Sequence, residues 1–198
     1  MLPTFSDMAP NIEVTFEENH TMELIEMLKL GKIDFAVLHI DKAHKEDASL
    51  NFKYIRSSRF LLATSKNHPI CIEFKAETHL KYPAIDLKAL ENERFILTDH
   101  DQMSRTIARR IFKVAGITPA KTLITRNILT ASKLAESGFG VTFFPEMYLK
   151  LINFENNIDL YTVGDDAFTS WDLVVATLNN DYQPKAASAF IKLIEDFA

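Results

Sequence analysis

The strongest constraint on the fold is the alternation of strand-like and helix-like patterns along nearly the whole chain of 198 residues. Two predicted strands, Ile33–Ile40 and Trp171–Leu178, are apolar almost throughout, which is typical of strands buried on both faces of a sheet. Between them, Ser104–Ala115 has apolar residues at helical spacing and ends at Gly116, a residue that favours helix termination. The alternation predicts an α/β protein with parallel or mixed sheets and helices on both faces.

The other predicted elements follow the same rhythm. The remaining strands are Ile12–Glu17, whose apolar and polar residues alternate, Phe52–Ile55, Phe60–Thr64, Phe95–Leu97, Thr122–Thr125, Val141–Phe144 and Ile158–Val163. The remaining helices are Leu2–Met8, one that begins near Thr21 and stops at Gly31, Leu87–Glu93, one from Ile128 to about Gly138, and a last one that opens at Pro184. Residues 65–85 and 164–169 break the rhythm and are predicted crossovers, so we expect lobe I at 1–65 plus 168–198 and lobe II at 66–167.

Charge and composition exclude several classes of protein. The formal net charge is −5 with a pI near 5.7, whereas surfaces that bind nucleic acid through phosphates are normally basic. One basic cluster stands out, and its predicted role is a solvated helix face or an ion-paired interface rather than a nucleic-acid contact. Its members are Arg105, Arg109, Arg110 and Lys113.

The expected cellular location follows from the absence of a possible disulfide, a membrane-spanning run and a signal-peptide pattern in the sequence. The single cysteine, Cys71, allows no disulfide within the chain, which favours a reducing cytoplasm. Isoleucines flank Cys71, so we interpret it as a packed structural residue rather than a redox sensor. The sequence has no apolar run long enough for a membrane span and no signal-peptide pattern, and we predict no membrane contact.

The sequence shows no catalytic or metal-binding pattern. The five glycines form neither a phosphate loop nor a dinucleotide fingerprint, and no G-x-S-x-G elbow is present. Histidines do not recur at zinc-ligand spacing, and Asp99-His100-Asp101 is better interpreted as a polar turn before a helix. We therefore predict no catalytic residues, no metal and no cofactor.

Polar residues do gather where strands end and helices begin. In open α/β sheets, ligands bind beyond the carboxyl ends of strands, where helix N-termini favour anions. Four junctions have this character: Asn19-His20-Thr21, Thr98-Asp99-His100-Asp101, Thr125-Arg126-Asn127 and Phe143-Phe144-Pro145. The alternative is that Asn19, Thr21, Asp99 and Asn127 only cap helices. His39, at the end of an apolar strand, is interpreted either as a ligand contact or as a core histidine satisfied by backbone.

Short motifs in a fixed order accompany these elements. In chain order they are Pro10-x-Ile12-x-Val14, Leu28-x-x-Gly31-x-Ile33-Asp34-Phe35-Ala36-Val37, Leu61 with His68-Pro69, Asp86-Leu87-x-x-Leu90, Phe95-Ile96-Leu97, Arg105 with Phe112-x-x-x-Gly116-Ile117-x-Pro119, and Leu134-Ala135-x-x-Gly138-x-Gly140-Val141-x-x-x-Pro145. Each motif is weak alone, but the ordered set spans essentially the whole chain. It resembles the effector-binding domain of LysR-type transcriptional regulators.

The resemblance implies two Rossmann-like α/β lobes with a central cleft, a fold like that of type-2 periplasmic binding proteins. It implies a small-molecule effector in the cleft, which the helix N-termini at the four junctions predict to be anionic, a homodimer or tetramer, and control of DNA binding by a separate helix-turn-helix domain. The positions that match effector contacts of the family lie at helix starts, strand ends and strand walls. They are Thr21, His39, Thr98, Asp99, Thr125, Thr142 and Phe144, to which the junctions add Asn19 and Phe143.

The sequence departs from the family pattern at its beginning. It shows no winged helix-turn-helix, no linker helix and no counterpart of the family's first strand, so we expect a fragment of a longer regulator. Two other classes remain open: a solute-binding protein of a transporter, which needs an export signal, and an enzyme on the same fold, which needs a convergent acid, base or nucleophile.

Overall fold

The structure is a computed structural model that describes residues 1–41, 47–70, 81–152, 154, 157–180 and 182–197. Cys71 and the middle of the predicted crossover 65–85 lie outside the described residues. The helices are α1 (Leu2–Met8), α2 (Thr21–Lys29), α3 (Met103–Ala115), α4 (Ile128–Glu136), α5 (Asp166–Thr169) and α6 (Lys185–Phe197), with 3₁₀ helices at Leu87–Leu90 and Glu146–Lys150. The strands are β1 (Ala36–Ile40), β2 (Leu50–Ser65), β3 (Arg94–Thr98), β4 (Lys121–Thr125), β5 (Thr142–Pro145), β6 (Ile158–Thr162) and β7 (Ser170–Leu178).

The chain divides into two compact units. Unit 1 holds Met1–Ser57 and Trp171–Ala198, and unit 2 holds Ser58–Ser170. The predicted lobe limits differ from these limits by several residues at each crossing and stay a prediction. The chain first passes from unit 1 to unit 2 inside strand β2.

Strand β2 corrects the prediction of two separate strands. The polar run from Arg56 to Arg59 reads as a break between Phe52–Ile55 and Phe60–Thr64, yet the strand is continuous. Its polar side chains have hydrogen-bond partners: Ser57 Oγ donates to the Trp171 carbonyl at 3.2 Å, and Ser58 Oγ accepts from the Met147 amide at 3.0 Å. Polar residues on a strand with available partners need not end it.

Unit 1 packs helices on both faces of its strands. Strand β7 lies between β1 and β2, and β1 pairs antiparallel to β7. Because side chains alternate along a strand, Val174 and Ala176 join Leu28 of α2 in one buried cluster. Val175 points into a second cluster with Phe5 of α1 and Phe190 of α6.

Unit 2 is layered in the same way. Strands β3 and β4 are parallel and paired from Arg94–Lys121 to Thr98–Thr125, and the second part of β2 pairs antiparallel with β5 and β6. On one face of β3, Phe95 meets Phe112 of α3 edge to face, with ring centroids 4.9 Å apart. On the other face, Ile96 packs against Ala131 and Ala135 of α4. The two units therefore match the predicted α/β class with mixed strand pairing.

The predicted strand Ile12–Glu17 is wrong. Residues 12–20 carry no regular secondary structure, and every side chain from Asn11 to His20 is exposed. A strand forms only when its backbone groups find a partner, and none of the described strands pairs with this segment. The predicted start of β1 is also wrong, since the strand begins at Ala36 rather than Ile33. The helix predicted at Leu87–Glu93 is a single 3₁₀ turn, Leu87–Leu90.

Gly140 provides a test of the packing of unit 2. A Cβ at this position would fall far inside the contact distance of the Arg94 carbonyl oxygen, a backbone atom that cannot yield locally. We expect Gly140→Ala to lower the free energy of unfolding by more than 2 kcal/mol, roughly the range of overpacked core sites, as measured by urea denaturation.

Gly138→Ala is the matched control. Gly138 has a φ of 82°, and a Cβ there would meet only the Ser65 side chain at the ordinary contact distance of 3.8 Å, so its substitution carries only the left-handed backbone penalty of about 1 kcal/mol. Equal losses for the two variants would show that the approach of Arg94 does not restrict position 140.

Candidate functional site

In unit 1, helix α2 begins beside the end of strand β1. Thr21 Oγ1 donates a hydrogen bond to the His39 carbonyl at 3.4 Å, which ties the first residue of the helix to the edge of the strand. The N-cap residue is His20, and no side chain caps this end of α2. The first-turn amides of α2 are therefore not satisfied by a cap, and they favour a bound anion.

The cap interpretation of Asn19 and Thr21 does not apply. Asn19 lies one residue before the N-cap and is exposed. Its side-chain Nδ2 contacts the Met27 sulfur at 3.5 Å. Thr21 is the first helical residue. Both remain candidates for ligand contact, and Thr21 has the better geometry because its hydroxyl lies at the junction itself.

His39 is half-buried against an aromatic ring. Its imidazole stacks on Trp171, with ring centroids 4.0 Å apart and planes inclined by 22°. Burial, and secondarily the positive charge of Arg56, lower the pKa of His39 from 6.5 to about 4. The ring is therefore neutral near pH 7 and would contact an anionic ligand as a neutral hydrogen-bonding group, not as a cation.

In unit 2, the end of β3 and the start of α3 share a pair of hydroxyls. Thr98 Oγ1 and Ser104 Oγ lie 2.6 Å apart, and both side chains are buried. Gln102 is the N-cap residue of α3, but its side chain makes no capping hydrogen bond. Instead, its side-chain Nε2 donates to the Arg126 carbonyl at 2.5 Å. The bond between Thr98 and Ser104 fixes the first turn of α3 against the strand end.

The first turn of α3 also carries a partly buried guanidinium, that of Arg105. Nε and Nη1 of Arg105 are buried and have no hydrogen-bond partner among the described residues. Burial and then the charge of Arg109 lower the pKa of Arg105, while Asp99 opposes them. Asp99 also accepts the His100 amide at 2.8 Å and lies 3.7 Å from Nε of Arg126, so it is not a helix cap.

The basic cluster predicted on α3 separates into different roles. Nη2 of Arg109 lies 2.5 Å from Nδ1 of His100. Arg110 donates to the Phe168 carbonyl at 2.7 Å and to the Ser170 carbonyl at 3.1 Å. The members of the cluster therefore do not share one role, and its predicted role as a solvated face or an ion-paired interface stays a prediction.

Thr125 and Asn127 form a local turn at the end of β4. Asn127 caps α4, because its side chain accepts from the Leu129 amide at 2.8 Å, as the alternative interpretation expected. Thr125 Oγ1 accepts from the Asn127 amide at 3.3 Å, and the threonine is half-buried. Of the two, Thr125 keeps a hydroxyl proton that a ligand could accept.

Three further predicted residues lie in the core of unit 2. Thr142 donates to the Ile96 carbonyl at 2.6 Å, and its side chain is buried. Phe143 packs on Phe95 and Phe112. Phe144 is fully buried and meets Tyr148 and Phe154, with centroids 6.2 and 5.6 Å apart. This packing assigns the three side chains to stability, and their contact with an effector stays a prediction.

Sequence reasoning missed Ser104 and Arg105 as members of the junction. The pattern places Ser104 on the predicted helix and Arg105 in its basic cluster, although both follow Thr98 closely across one strand-to-helix connection. In the described ranges, no three His, Cys, Asp or Glu side chains converge as a metal site would require. Within the same ranges, no helix has the length and hydropathy needed to cross a bilayer.

A family comparison decides the assignment. The model of the family described as LysR substrate binding domain matches residues 1–198. The chain belongs to this family. The LysR-type resemblance inferred from the sequence motifs is thereby confirmed, together with the type-2 periplasmic-binding-like fold.

Relatives of known sequence and structure agree with this assignment. The HTH-type transcriptional regulator YybE of Bacillus subtilis is 23% identical over 147 residues, which cover 74% of this chain and 46% of the relative. The effector-binding domain of QuiR in complex with shikimate matches with a TM-score of 0.74 at 18% identity, covering 99% of this chain and 87% of that one. The BenM effector-binding domain with benzoate gives 0.75 at 20% identity, with 99% and 83% covered.

The LysR domain spans about half the length of the curated relatives that it matches. Its structural neighbours are effector-binding domains and full-length regulators. Neither alternative, a solute-binding protein or an enzyme, is supported by these matches.

The environment of His39 makes the stability of the LysR domain pH-dependent. Above pH 6.5 the ring is neutral in both the folded and the unfolded chain. As the pH falls from 6.5 towards 4, only the unfolded chain takes up this proton, so the folded state loses stability across that window. We expect this residue to account for a loss of about 2 kcal/mol between about pH 7 and about pH 5.

Urea denaturation of His39→Asn at the two pH values measures the effect. The free energy of unfolding of this variant should fall less between the two pH values than that of the original chain. His20→Asn is the control, because His20 is exposed and asparagine is a good N-cap residue. An imidazole of His39 that titrates near 6.5 by NMR would contradict the assigned environment.

Proposed function

We propose that the LysR domain senses a small anionic metabolite and so controls DNA binding by a helix-turn-helix domain in the longer regulator. The observation that carries the proposal is the family match over the whole chain. Its relatives are transcriptional regulators that match it over less than half of their own length, and two structural neighbours hold shikimate and benzoate, both carboxylates. Small carboxylates are therefore the class of effector to test.

In unit 1, the proposed contacts are Thr21 and His39. The uncapped amides of α2 supply donors, and the Thr21 hydroxyl adds another at the same junction. A neutral His39 supplies one further donor or acceptor, depending on its tautomer, without the cost of burying a second charge. Such a set suits a carboxylate joined to a ring or a short chain.

In unit 2, the proposed contacts lie around the first turn of α3. Arg105 and Arg109 add positive charge beside the uncapped helix end, and Asp99 offsets only part of it. A guanidinium with buried donors that lack partners is costly, and a nearby anion would reduce that cost. Thr98 and Thr125, at the ends of the paired strands β3 and β4, complete this second contact region.

Thermal-shift assays with carboxylates and their neutral analogues test the proposal. We expect at least one carboxylate from a panel of benzoate, shikimate, succinate and glutamate to raise the melting temperature, because a ligand at about 100 times its Kd adds roughly 2.7 kcal/mol. Thr21→Val should reduce the shift while leaving the unliganded melting temperature nearly unchanged, since its bond to His39 is long. Benzamide should not replace benzoate if the negative charge is recognised.

Thr4→Val is the matched control in unit 1, where Thr4 is an exposed residue of α1. In unit 2, Thr125→Val is compared with Thr130→Val, an exposed residue of α4. Shifts that persist in both Thr21→Val and Thr125→Val would place the effector elsewhere. A folded domain that no member of the panel stabilises would count against small carboxylates as the effector class.

We also propose that the LysR domain associates with a second copy of itself. The segment 11–18, which carries no helix or strand, exposes Ile12, Val14 and Phe16, and none of the described strands pairs with its backbone. Its glutamates make it acidic, whereas β4, an edge strand, exposes Ile124 between Lys121 and Arg126. An acidic segment with unpaired backbone and a basic strand edge are complementary in charge, and the edge strand offers the backbone groups with which the segment could pair.

Sedimentation velocity measures this self-association. We expect a concentration-dependent dimer that weakens by at least tenfold in Phe16→Ser, because an anchor aromatic in a buried patch is worth about 1.4 kcal/mol or more. Tyr182→Ser is the control, since Tyr182 is an exposed aromatic of unit 1 outside the segment. A dimer that is equally stable in both variants would exclude segment 11–18 from the contact.

A further inference from the structure

Residues 81–85 lie along the outer edge of strand β6, within unit 2. The Thr162 amide donates to the Pro83 carbonyl at 2.8 Å, and the Ile85 amide donates to the Thr162 carbonyl at 3.1 Å. The other edge of β6 pairs antiparallel with β2. Residues 81–85 therefore extend the sheet by one short parallel contact, and we call this segment the strap.

A carboxylate on a neighbouring element fastens the start of the strap. Glu146, the first residue of the second 3₁₀ helix, accepts a hydrogen bond from Lys81 Nζ at 2.8 Å and another from Arg59 Nε at 2.9 Å. The two donors approach different oxygens of the carboxylate, so this one group joins the strap to strand β2. The Glu146 side chain is only 24% exposed, which makes the two charged bonds stronger than they would be in open water.

The ring of Tyr82 lies against the same two cations. Lys81 Nζ is 4.9 Å from the ring centroid, and the guanidinium carbon of Arg59 is 5.8 Å from it. Cations at such distances are attracted to the face of an aromatic ring. Charge therefore holds the start of the strap, whereas the backbone hydrogen bonds of Thr162 hold its end.

Arg59 connects the strap to a second element of unit 2. Its Nη1 lies 3.7 Å from the carboxylate of Asp166, at the start of α5. This contact is longer than a hydrogen bond, and 66% of the Asp166 side chain is exposed, so it is the weaker of the two ion pairs of Arg59. Loss of the Glu146 charge would thus deprive Arg59 of its shorter bond and Lys81 of its carboxylate at the same time.

We propose that residues 81–85 form a releasable strap, which Glu146 holds over the β6 edge and which opens as ionic strength rises while the rest of unit 2 stays folded. Salt weakens attraction between partly exposed charges, and the Lys81 side chain is 70% exposed. The sheet beneath the strap is held separately, because β2 and β6 remain paired from Leu61–Thr162 to Ser65–Ile158. Opening uncovers the backbone groups of Thr162 at a strand edge, where another strand could add.

Mild acid should not release the strap. Burial raises the pKa of Glu146, but hydrogen bonds from Lys81, Arg59 and Tyr82 lower it further, so that it falls from 4.5 to about 2. Glu146 therefore stays ionised between about pH 7 and about pH 5, the window in which His39 weakens unit 1. Salt and acid thus act on different parts of the LysR domain.

Hydrogen exchange of single amides, followed by NMR, tests the strap. The Ile85 and Thr162 amides report its opening, because they form the two strap bonds. The Ile96 and Val141 amides, which bond elsewhere in unit 2, report opening of the unit as a whole. As NaCl rises from about 0.05 M to about 0.5 M, we expect protection of Ile85 and Thr162 to fall roughly threefold while that of Ile96 and Val141 is retained.

Three substitutions separate the charge from the backbone contacts. Glu146→Gln should lower protection of the Ile85 and Thr162 amides about fivefold and remove most of its salt dependence. Lys81→Met should act in the same direction, whereas Lys81→Arg keeps the charge and should retain most of the original protection. Glu91→Gln is the matched control, because it removes the same charge from an exposed position of unit 2 and should change neither amide.

Equal protection of the strap amides in Glu146→Gln and in the original chain would overturn the proposal, as would protection that salt does not change in the original chain. A parallel loss at Ile85 and Ile96 would overturn it too, because the charges would then stabilise unit 2 as a whole and not the strap.

Discussion

Strand β3 is hydrogen-bonded on both sides, and unit 2 depends on that double pairing. On one side it pairs with β4 along its whole length. On the other side, the Val141 amide donates to the Arg94 carbonyl at 2.8 Å and the Ile96 amide donates to the Val141 carbonyl at 2.8 Å. The second contact requires Gly140, because any side chain there would collide with the Arg94 backbone. Because β3 is hydrogen-bonded on both sides, its position is fixed, with Phe95 directed towards α3 and Ile96 towards α4.

The same demand for backbone partners explains where sequence patterns succeed and fail. Helix α3 is predictable because its apolar residues, its hydrogen bonds and its stop at Gly116 are all local. Residues 12–17 have an equally clear strand pattern, yet a strand needs a neighbour, which a local pattern cannot supply. Strand β2 shows the converse, since its polar centre reads as a break until Trp171 and Met147 provide partners from far along the chain.

The candidate contacts divide along the same line. That hydroxyls and helix starts gather at strand ends could be predicted, because the residues concerned are neighbours in sequence. How each hydroxyl is held could not be predicted: Thr98 shares a hydrogen bond with Ser104, and Thr142 donates to the Ile96 carbonyl. The character of His39 also lay beyond prediction, because Trp171, the ring on which it stacks, is more than a hundred residues away. Burial there converts a potential cation into a neutral group and leaves charge recognition to helix ends and arginines.

Helix α3 connects the proposed effector contacts of unit 2 to a distant segment of chain. Its first turn carries Arg105 among those contacts. Near its middle, Arg110 holds the residues that lead into β7. A helix of 13 residues with a packed face moves as one body, so a shift imposed at its first turn reaches the segment that Arg110 holds. An effector that binds one position of α3 more tightly can therefore shift this segment, but by no more than the difference in its affinity for the two positions allows.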